Sequence, residues 1–405
     1  MAGFEIRQFN NSKEYYAQAI YNENWNAEYE QVCGNNKQNI RPRAINLNSA
    51  PSSLKQQKAA IDEDESIEKH MKNAIGVATL ITEHLLCHPF TVLRRQCQVH
   101  NKSRREHLFP FSLLPVIYHI SKRQGIAKLW KGLGSTLVVR GMTLAIEDCI
   151  TKFTPWPKEI NRKSSWKSCC QHVLLKCVTL AIITPFYSAS LVETVQSDIT
   201  SECPGIFDVF KEGLCRLISW SSPMKGRMLP VWTLVVPTVA YGLFKYGFSE
   251  VVRNCTSTIL HINLVQKKQN QGAVPRDLSR ESAIQEIEMT SALVAMSSAE
   301  IIFYPLETVL HRLHLQGTRT IIDNLDSGRE VIPILTSYEG ALDCYRTALC
   351  EEGTSGLYKG FGALVLQLVA YISVIQLTKY VLNHATQLFR DNSPPPTYPP
   401  NKNRS

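Results

Sequence analysis

His88-Pro89-Phe90-Thr91-Val92-Leu93-Arg94-Arg95-Gln96 is followed, further along the chain, by Gln124-Gly125-Ile126-Ala127-Lys128-Leu129-Trp130-Lys131-Gly132. The same pair returns as Tyr304-Pro305-Leu306-Glu307-Thr308-Val309-Leu310-His311-Arg312 and Glu352-Gly353-Thr354-Ser355-Gly356-Leu357-Tyr358-Lys359-Gly360. Each copy joins a proline near a helix end to a Gly-x4-aromatic-Lys-Gly turn. A worn copy lies between them: Thr184-Pro185-Phe186-Tyr187-Ser188-Ala189-Ser190, then Glu212-Gly213 with no aromatic-Lys-Gly after it. The three prolines stand 96 and 120 residues apart. A repeat of that size is a supersecondary unit that buries its apolar face against its neighbours.

Local hydropathy favours short membrane spans over a single soluble core, with buried soluble helices as the alternative. The mean hydropathy of -0.13 is low, but polar ends and loops dilute it. Cys177–Val192, Leu229–Phe244 and Gly360–Thr378 are uncharged stretches near the lower length limit for crossing a bilayer core. The spacing predicts odd spans over about 73–98, 172–198 and 286–315, each bent at its proline, which removes a backbone donor. Even spans are predicted over about 133–154, 229–253 and 361–385, with loops at about 99–130, 199–228, 260–285 and 316–350. Glycines at the turns, Gly132 and Gly360 among them, permit close backbone approach between helices. The resulting division is a polar N-terminal arm 1–72, repeat 1 over 73–165, a degenerate repeat 2 over 166–258, a linker 259–285, repeat 3 over 286–388 and a Pro-rich tail 389–405.

Charge separates the arm from the rest. Residues 1–70 hold 8 Lys+Arg against 10 Asp+Glu, so the remainder of the chain carries the net positive charge. Between Arg94 and Lys131, nine basic residues face the single acid Glu106, a pattern suited to anionic lipid headgroups. No aromatic-interleaved basic groove or zinc-finger spacing supports nucleic-acid binding. Twelve cysteines without a C-x2-C pair argue against structural zinc and against a disulfide framework. The arm has neither the apolar core of a secretory signal nor the acid-poor composition of a transit peptide. It reads as disordered, with an acidic run Asp62-Glu63-Asp64-Glu65 and an aromatic cluster of Tyr15, Tyr16, Tyr21, Trp25 and Tyr29 suited to docking a partner. P-loop, GxSxG and HExxH motifs are all absent, so no enzyme class, catalytic residue, metal or cofactor is expected.

The repeats resemble those of the mitochondrial carrier family, Pro-x-[Asp/Glu]-x-x-[Lys/Arg]-x-[Arg/Gln] followed by [Asp/Glu]-Gly-x4-aromatic-[Lys/Arg]-Gly, over about residues 73–388. The likeness is to a divergent outer-membrane branch, carried by Leu93–Val99, Pro185–Ser197 and Leu306–His314, the last running on to Asn324. It implies an all-α membrane protein of six transmembrane helices in three two-helix repeats with pseudo-threefold symmetry. The residues that match its structural motif are Pro89, Arg94, Gln96, Gly125, Trp130, Lys131, Gly132, Pro185, Glu212, Gly213, Pro305, Glu307, Arg312, Glu352, Gly353, Tyr358, Lys359 and Gly360.

Transporting members close one end of a central cavity with a ring of ion pairs between the acid and the base after each proline. Here the acid positions hold Thr91, Tyr187 and Glu307, and the base positions hold Arg94, Ser190 and Leu310. One pair, Glu307 with Arg94, is expected where the family forms three. The second closure keeps only Glu250 with Arg253 and half of a pair at Gln376 and Lys379. Alternating access needs two closures of comparable stability around a midplane site, so the degraded ring argues for a static scaffold. Glu83, Arg140, Glu147, Asp148, Lys176 and Glu300 fall within or near the spans, as solute ligands, structural pairs or headgroup contacts. Arg312 and Arg319 are candidates to meet lipid phosphates or a partner. The third repeat is enlarged, with 55 residues from Pro305 to Gly360 against 43 from Pro89 to Gly132. Its extra loop, including Val331-Ile332-Pro333-Ile334-Leu335, is a candidate contact surface.

The resemblance further implies an adaptor in the mitochondrial outer membrane, acting in fusion, fission, cristae organisation and lipid transfer. Its implied partners are mitochondrial membrane lipids, mitofusin-type and dynamin-like fusion GTPases, the cristae-organising complex and the endoplasmic reticulum membrane complex. The alternative is an inner-membrane metabolite exchanger with a degenerate gate.

Overall fold

The computed structural model describes residues 81–82, 84–158, 165–197, 208–218, 229–271, 277–326 and 330–392. The N-terminal arm with its aromatic cluster and acidic run, and the Pro-rich tail beyond residue 392, lie outside the described residues. The long helices are α1 over 84–99, α3 (Leu133–Phe153), α4 (Trp166–Val195), α6 (Val231–Gln271), α7 (Asp277–Ile302) and α10 (Phe361–Asn392). Shorter helices stand between them: α2 (Leu114–Gln124), α5 (Asp208–Ile218), α8 (Tyr304–Leu315) and α9 (Ala341–Gly356). A two-stranded antiparallel hairpin, β1 (Ile321–Asp323) and β2 (Val331–Pro333), pairs Ile322 with Ile332. Two compact units divide the chain within α10: residues 85–369 hold α1 through its first part, and the described part of the other unit is mainly the remainder of α10, from Ala370.

The stretch 259–285, expected as a loop or linker, is helical wherever it is described, since α6 runs to Gln271 and α7 starts at Asp277. The apolar residues Ile259, Leu260, Ile262, Leu264 and Val265 sustain the helix, and no Gly or Pro interrupts it before Gly272 and Pro275. The loops predicted at 99–130, 199–228 and 316–350 contain the short helices α2, α5 and the start of α9. Proline acts unequally as well. Helix continues through Pro89 and Pro185, whereas Pro305 occupies the first turn of a new helix after a break at Phe303. A first-turn proline sacrifices no internal hydrogen bond, which is why the sharp bend, 61° between Glu286–Ile302 and Tyr304–Leu315, falls at that copy alone among the three. Flanking Pro185, the Thr184 and Ser188 hydroxyls donate back to the Leu180 and Thr184 carbonyls one turn earlier.

Trp166–Val195 alone among the described helices is long and apolar enough to cross a membrane, and two bent pairs raise the number to three. The outer face of α6 leaves Trp232, Val236, Phe244, Val251 and Ile259 exposed, an apolar surface suited to lipid. The chain is a mainly helical membrane protein. At the C-terminal ends of α1, α4 and α8, Val99, Leu191, Val195 and Leu315 bury Ile322 and Ile334 of the hairpin region. A second cluster sets Leu93 and Cys97 against Leu113, Leu129, Leu325 and Ala363. Within 331–335, Ile334 is buried and Ile332 packs against the same cluster, while Pro333 and Leu335 are exposed.

Candidate functional site

Two glycines bring the turns close enough to build the site. Gly132 has φ 66°, and a Cβ there would stand 2.9 Å from Thr194 Oγ1, so α3 starts directly against α4. Gly360 has φ 82°, and its added Cβ would meet Cys97 Cβ at 2.5 Å, locking the start of α10 against α1. Trp130 Nε1 donates to Leu85 O at 2.7 Å, and Lys131 donates to the Gln196 carbonyl, completing the first turn. In the third repeat Tyr358 stacks on Tyr304 with centroids 5.9 Å apart, and Tyr304 donates to Lys359 O at 2.8 Å.

These constraints aim the ring positions at one another. Arg94 Nη2 donates to Glu307 Oε1 at 3.0 Å, the expected pair, while its Nη1 reaches Glu300 Oε2 at 3.1 Å. Lys245 on α6 closes on Glu300 Oε1 at 2.8 Å. Two cations and two anions thus balance in a buried cluster drawn from α1, α6, α7 and α8, where the sequence suggested a single surviving pair. Lys245 was the omission. Its signal is a lysine placed just after the uncharged run that ends at Phe244.

The vacant acid position is filled by neutral hydrogen bonding. Gln98 Nε2 donates to Glu307 Oε2 at 3.3 Å, so its Oε1 is free to accept from His311 Nδ1 at 2.7 Å. In a neutral imidazole the other nitrogen is then an acceptor, and it accepts a hydrogen bond from the Tyr187 hydroxyl at 2.7 Å. Tyr187 therefore joins the cluster through His311 and Gln98 without bringing a charge. Arg95 lies over the Tyr187 ring at 5.9 Å and donates to Thr194 Oγ1 at 3.0 Å. The remaining departures are absorbed locally. Thr91 donates back to Cys87 O at 3.2 Å, Ser190 meets Ser135 at 3.1 Å, and Leu310 is buried. His314 contacts Ser188 at 2.5 Å and Thr238 at 3.0 Å, linking α8 to α4 and α6.

Glu352 organises a separate cluster. Its carboxylate accepts from Arg312 Nη1 at 2.5 Å and Nη2 at 2.9 Å, and from Lys359 Nζ at 2.7 Å. Arg312 is buried and also donates to Gln98 O, so it is not a headgroup ligand. In the worn repeat the acid survives only as a pair within one helix, Glu212 with Arg216 at 2.9 Å, while Gly213 packs on Phe186. Gln96 is buried, and Gly125 and Gly353 hold positive φ in their turns. At the opposite helix ends, Glu250 pairs with Arg253 along its own helix at 2.8 Å, and Lys176 bridges to Glu147 at 2.8 Å between α4 and α3. The Lys379 side chain lies outside the described residues.

Comparison with known proteins follows the same outline. The sequence model of the family described as "Mitochondrial carrier protein" matches residues 70–149 and 287–387, skipping the worn repeat. Mitochondrial outer membrane protein SLC25A46 of Gallus gallus is 44% identical over 329 residues, covering 80% of this chain and 79% of that protein. Its Danio rerio namesake is 40% identical over 388 residues, covering 94% and 92%. The Homo sapiens protein of that name is 43% identical over 323 residues, covering 80% and 77%.

Proposed function

The chain belongs to the mitochondrial carrier family and resides in the mitochondrial outer membrane, and on that premise we propose that it is a non-transporting scaffold. It uses six transmembrane helices in three carrier repeats, with α1, α4 and α7–α8 as the odd members and α3, α6 and α10 as the even ones. The repeats take residues 73–165, 166–258 and 286–388. The observation that carries this reading is the continuous buried chain from Tyr187 through His311, Gln98, Glu307, Arg94 and Glu300 to Lys245.

A transport gate has to open and close with little net cost. Separating α1 from α7 and α8 would strand buried charges on both sides, at about 3–5 kcal/mol for each broken pair. Parting α4 from α8 would also leave a buried imidazole and phenol unpaired, at roughly 1–3 kcal/mol. A closure reinforced on one side and neutralised on the other favours one state. The outer-membrane location also removes the compartment that an inner-membrane exchanger requires.

As an adaptor, the protein presents its polar surfaces to the machinery of mitochondrial fusion and fission, with effects on cristae organisation and lipid transfer. The partner classes we propose are mitofusin-type and dynamin-like GTPases, the cristae-organising complex, the endoplasmic reticulum membrane complex and membrane lipids. Cells lacking the protein should show altered mitochondrial network length, while purified protein in liposomes exchanges no labelled nucleotide, amino acid or carboxylate. Normal morphology in the null, or saturable exchange in liposomes, counts against this function.

A further inference from the structure

The insertion that enlarges the third repeat folds into β1–β2 and touches more than its own repeat. Ile322 and Ile334 are buried among Val99 of α1, Leu191 and Val195 of α4, and Leu315 of α8. Main chain joins it to the second repeat as well, with Ser197 N donating to Ile321 O at 2.6 Å.

Two aspartates fasten the hairpin. Asp323 Oδ1 accepts from Ser197 Oγ at 2.6 Å and from Gln124 Nε2 at 3.1 Å, reaching the second and first repeats together. Asp326 accepts from Ser103 Oγ at 2.9 Å and from the Arg104 and Arg105 backbone N–H groups at 2.8 and 3.2 Å. Burial raises the Asp326 carboxyl, but the donors at Arg104, Ser103 and Arg105 outweigh it and hold the group below the usual range. Beside Asp326, Leu325 packs in the same cluster as Cys97 on α1, and that thiol is 3% exposed.

We propose that this hairpin is an internal bolt: it fastens the ends of α1, α4 and α8 to one another and keeps that end of the bundle shut while the protein works. The inference deepens the scaffold reading and rests on it. A loop that merely decorated the surface would need one neighbour, whereas this one draws apolar contacts from all three proline-bearing helices. It also draws polar contacts from the segments that follow two of them. Opening would break five hydrogen bonds to aspartate carboxylates and expose an isoleucine pair in the same movement.

Cys97 reports on the bolt directly. Full-length protein in lipid nanodiscs is treated with N-ethylmaleimide, and modification is followed at each cysteine by mass spectrometry. The unmodified sequence should protect Cys97, and the conservative pair Asp323→Asn with Asp326→Asn should alkylate there about tenfold to a hundredfold faster, as loss of charge-assisted hydrogen bonds requires. Cys344, buried in a different cluster, is the internal control for global unfolding and should keep its rate. If Cys97 of the unmodified protein reacts as fast as exposed Cys149, or if the double variant leaves Cys97 protected, the bolt is overturned. If both cysteines accelerate together, Ser197→Ala, which removes only one donor, is measured: a rise at Cys97 alone supports the bolt, and no rise overturns it. Solute flux with Cys97 still protected would overturn the scaffold reading instead, so the two ideas fail on different measurements.

Discussion

At the residue scale, the buried charge cluster makes the sharpest claim. Lys245→Met leaves Glu300 with Arg94 alone and the cluster with a surplus anion, and stability should fall by about 3–5 kcal/mol. Glu300→Gln in the same chain restores balance, so the double variant should recover a substantial part of that loss. The coupling, read from thermal midpoints in detergent, should exceed roughly 0.5 kcal/mol. Additive effects would mean that the 2.8 Å contact contributes nothing. Tyr187→Phe tests the neutral branch: removal of one hydroxyl leaves His311 Nε2 buried without a donor, at roughly 1–3 kcal/mol. The pH dependence has its own marker in His100, which lies just beyond α1 and is 1% exposed. Burial lowers its imidazole to about 4 from 6.5, Asp326 and Glu352 opposing, Lys359 and His107 assisting. Between those values the unfolded chain holds a proton that the folded chain lacks, so stability falls as pH drops from 6.5 towards 4. The loss reaches roughly 2 kcal/mol near pH 5, and His100→Leu should flatten that part of the profile. Sequence alone located Arg94 and Glu307 because a motif fixed their spacing. It could not pair them with Lys245, which belongs to no motif and reaches the cluster only through helix packing.

At the scale of elements, the glycine turns decide how closely the helices approach. Gly125 and Gly360 both hold positive φ, but an added Cβ meets open space at Gly125 and Cys97 Cβ at Gly360. Gly125→Ala should therefore carry backbone strain alone, roughly 1–3 kcal/mol. Gly360→Ala should add about 1–3 kcal/mol for the overlap, lowering its thermal midpoint further. Equal losses at the two positions would show that the α1–α10 contact has room to relax. The long helices were legible because their uncharged runs and repeated prolines are properties of sequence. The short helices α2, α5 and α9 were not, since they carry charged residues among their apolar ones and look like solvated loops. The break at Phe303 was hidden for a related reason: Pro305 resembles Pro89 and Pro185 in sequence, and only packing settles whether a proline bends a helix or begins one.

At the scale of the whole molecule, two devices close the same end of the bundle, and restoring the family residues separates their effects. Thr91→Asp, Tyr187→Asp, Ser190→Lys and Leu310→Lys together would recreate three acids and three bases at the ring positions. If those positions alone governed transport, this variant would have a working gate. The surroundings have changed with them, however. Tyr187 now completes the His311 chain, Ser190 meets Ser135, and Leu310 is 4% exposed in a packed face. Two new cations and two new anions would each have to be desolvated there, and well-packed neutral residues are commonly as stable as buried ion pairs, or more so. Below them the hairpin would still join α1, α4 and α8. The four-residue variant should therefore have a lower thermal midpoint than the unmodified chain and show no exchange of nucleotides, amino acids or carboxylates in liposomes. Exchange by that variant with the hairpin intact would mean that the ring alone governs opening, and that the insertion lies beside the path rather than across it.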